Sequence, residues 1–195
     1  GGGWVVGGGV DGHMGLCVVQ GTGGLGVGEG VGREPRRVGG AGTQRYVRGR
    51  PARMTGRLEA GTLNAHGIAG LGAGLAYIEE RGVEELGAQV RALAERFARG
   101  VRGIDGLRVL GGGGDGGRCG SVARDVGDAD SAAVGDALNA EFGICTRAGA
   151  HCAPLMHEAL GTRRQGAGRF SFSSFNTEDE VDAGIAAVAA IAEEA

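Results

Sequence analysis

The sequence predicts an α/β chain that ends in a small α+β domain. Three observations carry this reading. Apolar residues recur at helical spacing from Asn64 to about residue 102. From Leu107 onward, short strand-like runs alternate with helical ones. Thr177 and Glu180 form a capping box ahead of a final helix with one apolar face. The division falls between residues 80 and 81, giving a front part, 1–80, and a small C-terminal domain, 81–195.

Taken in order, the front is dominated by glycine, 18 of the first 42 residues. It offers one strand, Cys17 to Val19, then a GTGG turn at Gly21 to Gly24 and a loose stretch to Arg53. Asn64 is the N-cap and Gly82 the C-cap of a helix carrying Ile68, Leu71, Leu75 and Ile78. Glycines 67, 70, 72 and 74 each weaken it by roughly 1 kcal/mol relative to alanine, so it packs closely against another backbone. A second helix follows, with Val83, Leu86, Val90, Leu93, Phe97 and Val101 on one face. Leu107 to Leu110 and Ser121 to Val126 are strands around a GGGGDGG loop. Asp130 caps a helix with Val134, Leu138 and Phe142, which ends at Gly143. Ile144 to Ala148 and Arg169 to Ser173 are two more short strands, and the last helix presents Val181, Ile185, Val188 and Ile191.

Composition excludes several classes. Twenty basic against 23 acidic residues give a net charge of −3, which does not fit a nucleic-acid binder. No apolar run is long enough for a membrane span, and the N-terminus lacks the basic region of a signal peptide. A cytoplasmic protein is expected. Glycine contributes 45 of 195 residues without a collagen period. All 20 basic residues are arginine, so no chemistry can use a side-chain primary amine. The four cysteines form no CxxC pair and have no zinc partners, so no metal is expected. Cys17, Cys119 and Cys145 read as buried, inert thiols.

Three stretches carry chemistry. In Arg147-Ala-Gly-Ala-His151-Cys152-Ala-Pro154-Leu-Met-His157, a cysteine sits on a loop among cationic groups, the surroundings a thiolate nucleophile needs. Arg169 stands at the mouth of a strand, where a guanidinium can clamp a carboxylate through two parallel hydrogen bonds. Arg57-Leu-Glu59-Ala-Gly61-Thr62-Leu-Asn64 is a small-residue turn into a helix, where backbone amides and the Thr62 hydroxyl can hold a phosphate.

In this order and spacing the motifs GHMGLCVVQGTGGLGVGEG, EAGTLNAHGIAGL, TRAGAHCAPLMHEALGT and GAGRFSFSSFNTEDEVD resemble the class V aminotransferases of the fold-type I pyridoxal 5'-phosphate (PLP) enzymes, most of all the cysteine desulfurases. The resemblance runs over residues 11–192 and implies the C-terminal part of a fold-type I transferase: the tail of the large PLP-binding domain plus the small domain. It implies PLP as cofactor, an amino-acid substrate, a homodimer and a sulfur-acceptor protein. Cysteine would be converted to alanine, leaving a persulfide on Cys152, with Arg169 on the substrate carboxylate. Thr62 matches the threonine that reaches the partner's PLP phosphate, and His13 the histidine preceding the Schiff-base lysine.

Against that pattern, Met14 stands where the lysine belongs, and a thioether forms no imine. Asp11 replaces a serine or threonine near the phosphate and would repel that dianion. The family's earlier half, with the aspartate and histidine that hold the ring, has no counterpart in this sequence. The expectations are therefore an inactive or truncated cysteine desulfurase, another class V enzyme such as a selenocysteine lyase, a non-catalytic dimerising scaffold, or a drifted reading frame.

Overall fold

The computed structural model describes residues 7–40, 46, 48–111 and 119–194. The chain divides into two compact units, Gly1–Gly82 and Val83–Ala195.

The C-terminal unit holds the core. Its sheet comprises β3 (Leu107–Leu110), β4 (Ser121–Val126) and β5 (Gly168–Ser171), in the order β3-β4-β5 and antiparallel throughout. Three helices pack with it: α3 (Val83–Val101), α4 (Ser131–Phe142) and α6 (Glu178–Glu194). They bury Leu93, Phe97, Val101, Leu138, Val181 and Val188 against Val122, Val126 and Phe170 of the sheet. Phe97 and Phe170 stack at 4.4 Å between ring centroids, a tilted pair that adds to simple burial. The caps explain where the helices begin and end. Asp130 accepts from the amides of Ala132 and Ala133, and Gly143 closes α4 in the left-handed conformation (φ 66). The Thr177 hydroxyl accepts from the Glu180 amide while the Glu180 carboxylate accepts from the Thr177 amide. The GGGGDGG loop lies largely outside the described residues.

One sequence expectation needs correcting here. Only Arg147 of the segment Ile144 to Ala148 pairs, through an isolated bridge to Arg169. Gly149, His151 and Cys152 take positive φ immediately afterwards, so the chain turns away before a ladder can extend. The alternation of β4 also places Arg124 beside Val122 and Val126 on the core face, where it is 1% exposed.

The front unit departs further from its sequence reading. Cys17 to Val19 is irregular, and the strands are β1 (Gly7–Asp11) and β2 (Gly23–Val27), paired antiparallel with Gly7 opposite Val27. The sequence reading named neither of these strands. A ladder uses only backbone groups, so a glycine-rich pair can form one without a side-chain pattern to announce it. The turn shortens to Gln20–Gly21, because Gly23 and Gly24 already belong to β2. After the short α1 (Met54–Leu58), helix α2 (Ala65–Arg81) starts where Asn64 accepts from the Gly67 amide and ends at Gly82. Two of its four glycines are explained by crowding: a Cβ on Gly74 would lie 2.4 Å from the Leu16 carbonyl oxygen, and one on Gly67 2.4 Å from Thr22 Cγ2, whereas Gly70 and Gly72 have open space around them. The close backbone approach expected for this helix is present, and Gly67 and Gly74 are its buried positions. The loose stretch is pinned by Arg50, whose guanidinium donates to the carbonyls of Gly39, Gly56, Arg57 and Glu59. Among the described residues, the buried ones of this unit are Gly12, Pro51, Gly67 and Gly74, with no large apolar side chain among them. No helix among the described residues is long and apolar enough to cross a membrane.

Candidate functional site

The Cys152 loop runs from the Arg147 bridge to α5 (Pro154–Leu160). His151 (φ 51) and Cys152 (φ 61) both adopt the left-handed conformation, costly for residues with a Cβ and characteristic of strained functional turns. Two local bonds hold the turn. The His151 Nε2–H donates to the Arg147 carbonyl at 2.9 Å, since a carbonyl can only accept. The Ala153 amide donates to the Ala150 carbonyl at 2.8 Å. Cys152 is exposed, and Arg147 Nη2 donates to its Sγ at 3.4 Å. A guanidinium against sulfur is the contact that suits a thiolate. Burial, followed by the charges of Arg169, His157 and Arg147, pushes the His151 pKa below its ordinary value despite the opposing bond to Arg147.

Arg169 lies directly opposite Arg147 in the bridge, which places both side chains on one face. Its Nε is buried without a hydrogen-bond partner. Such a donor is expensive unless a ligand satisfies it. Beneath the loop, buried His157 meets the buried Thr162 hydroxyl through Nδ1 at 2.8 Å. Both residues lie in the motif TRAGAHCAPLMHEALGT, yet the sequence reading gave this brace no role, because the contact depends on the turn at Gly161. The structure thus gathers Cys152, Arg147, His151 and Arg169 inside the C-terminal unit. His13, Met14 and Thr62 belong to the front unit.

All four cysteines are exposed, which overturns the expectation of buried thiols at Cys17, Cys119 and Cys145. Cys17 occupies a turn at φ 57, and Cys145 follows the α4 C-cap with its Sγ 3.5 Å from Asn139 Oδ1. Among the described residues, Cys152 is distinguished by the Arg147 guanidinium at its sulfur. Among the described residues no three His, Cys, Asp or Glu side chains group as a metal site.

In the front unit, His13 and Met14 form a single 3₁₀ turn, Gly12–Met14, at the end of β1. His13 Nδ1 lies 2.5 Å from Asp11 Oδ1, and both residues line a shallow hollow with Gly9, Val10, Gly21 and Thr22. Thr62 is exposed in the turn leading to α2, whose Gly67 amide is already taken by Asn64.

The pattern of the aminotransferase class-V family matches residues 27–183. The chain belongs to that family. Over 126 residues it is 35% identical to a cysteine desulfurase of Cronobacter sakazakii, covering 65% of this chain and 30% of that protein. A probable cysteine desulfurase of Mycobacterium leprae is 35% identical over 137 residues, 70% of this chain and 22% of that one. The chain therefore spans less than a third of the curated relatives it matches. Among solved structures, the apo cysteine desulfurase of Thermococcus onnurineus superposes with a TM-score of 0.84 at 25% identity, over 97% of this chain and 48% of that one. An Escherichia coli cysteine desulfurase, solved in an S-sulfonic acid form, gives 0.61 at 32% identity, over 71% and 33%. These neighbours place the chain as part of a fold-type I enzyme fold.

The front-unit residues do not fit PLP held in the manner the resemblance implies. Covalent attachment requires an amine, and the chain has neither a lysine at position 14 nor one anywhere else. The Asp11 carboxylate, tied to His13, lines the same hollow and opposes any phosphate placed there.

Proposed function

We propose that this chain handles sulfur at a thiol, with Cys152 as the sulfur-carrying nucleophile and Arg169 as the grip for the carboxylate of an amino-acid-type substrate. The observation that carries the reading is Arg147 Nη2 at 3.4 Å from the exposed Cys152 sulfur, opposite the partnerless Arg169 Nε. Kinship with cysteine desulfurases supports sulfur as the element handled. The amine-dependent cleavage of cysteine to alanine is not assigned to this chain, because no side chain in it can form the imine. By the same resemblance the protein is a homodimer that passes sulfur to an acceptor protein in the cytoplasm.

Limited alkylation mapped by mass spectrometry tests the reading. Cys152 is expected to label before Cys17, Cys119 and Cys145, and preferential labelling of any of these three overturns it. Incubation with cysteine and PLP is expected to release no sulfide above a boiled control.

A further inference from the structure

We propose that Cys152 is loaded directly from a small persulfide bearing a carboxylate, making the chain a sulfur transferase that works without PLP. The proposal rests on Cys152 being the sulfur-carrying thiol and goes beyond it by naming the donor and the step. Its starting point is a disagreement within the molecule. The front unit lacks the amine that would generate sulfane sulfur from cysteine, yet the Cys152 cluster is complete inside the C-terminal unit. A thiol of this kind can accept sulfur only from a compound that already carries it in a transferable state.

The step balances without oxidant or cofactor. Cys152 sulfur attacks the outer sulfur of a donor R–S–SH. The bond from Cys152 to that sulfur forms as the donor's S–S bond breaks. The electron pair of the broken bond leaves on R–S⁻, which takes up the proton given up by the Cys152 thiol. The products are Cys152–S–SH and R–SH, with no net redox change. Arg147 supplies positive charge at the attacking sulfur. The His151 Nε2–H is committed to the Arg147 carbonyl, so this ring holds the loop without donating that hydrogen to the sulfur. The donor's carboxylate is assigned to Arg169, opposite Arg147, whose buried Nε has no partner within the chain. A planar guanidinium with an unmet donor selects a carboxylate over an uncharged donor.

The test uses the full chain, reduced and kept anaerobic, with cysteine persulfide and inorganic polysulfide as alternative donors. Peptide mass spectrometry should find one added sulfur on Cys152 and none in Cys152→Ser. The wild type should load faster from cysteine persulfide, and Arg169→Gln should lower that preference about tenfold, the scale of one hydrogen bond to a charged group. Arg169→Lys should recover part of it. Circular dichroism melts of each variant separate loss of recognition from loss of fold. If Cys152 alkylates first yet gains no sulfur from either donor, the transfer proposal fails while the thiol reading stands. If Cys152 is not the preferred alkylation site, both fall. A donor preference unchanged in Arg169→Gln overturns the assignment of the carboxylate.

Discussion

A guanidinium enclosed by apolar side chains must find partners or lower its charge, and Arg124 shows the cost. It lies among the core residues of β4, with Nε and Nη2 both unpartnered and its charge 5.3 Å from the Phe170 ring centroid. Burial pushes its pKa down to about 10. The depressed value means that the unfolded chain binds more protons between about 10 and the ordinary arginine value. Stability should therefore rise with pH only in that alkaline window, leaving the cost constant near neutrality. Arg124→Met keeps the length and removes the donors, so it should stabilise the C-terminal unit by about 1–3 kcal/mol. A differential scanning melt would read this as a rise of several degrees; a lower melting temperature would show that the stacking on Phe170 outweighs the lost partners. Burial acts in the same direction at His151, where it disfavours the protonated ring. Its protonation midpoint, followed by NMR of the ring proton, should lie below the ordinary histidine value of about 6.5. Its contribution to stability is present above that value and lost as pH falls toward the folded midpoint. A midpoint at or above 6.5 would contradict the burial of the ring and the neighbouring charges of Arg169, His157 and Arg147.

Elements with a chemical start signal are legible in the sequence, and those defined by backbone alone are not. Asn64, Asp130 and the Thr177–Glu180 box each announce a helix because a side chain must satisfy orphan amides, and each makes the bond expected of it. The β1–β2 pair escaped notice because its residues are mostly glycine, and the strand expected at Ile144 to Ala148 failed because the turn at His151 and Cys152 is set by local strain. The capping box gives a clean measurement. Thr177→Ala removes the acceptor for the Glu180 amide and should cost about 0.5–2 kcal/mol, with Glu180→Gln costing less because the amide oxygen still accepts from the Thr177 amide. Urea titrations of both variants would settle the order; equal losses would show that the carboxylate charge contributes as much as the hydroxyl to the start of α6.

At the scale of the whole chain, apolar burial is one-sided. The buried large apolar side chains among the described residues begin at Leu86, while Val10, Val19, Leu25, Val38, Ile68 and Leu75 of the front unit are exposed. The 18 glycines among the first 42 residues offer little side chain to bury there. The placement of Cys152 beside Arg147 was legible in the same way, as a motif, whereas the cross-strand placement of Arg169 required the sheet register. Burial is the dominant favourable term in folding, so stability should follow it and be distributed unequally. Amide exchange followed by mass spectrometry should find slow exchange in α3, β4 and α6 and fast exchange across β1 and β2. A separately produced Val83–Ala195 chain should refold cooperatively and melt at the temperature of the main transition of the full chain. It should also retain preferential alkylation of Cys152, because every residue that shapes that loop lies within it. Equal protection in the two units, or a Val83–Ala195 chain without a cooperative melt, would mean that the front residues contribute to folding through contacts that burial alone does not reveal.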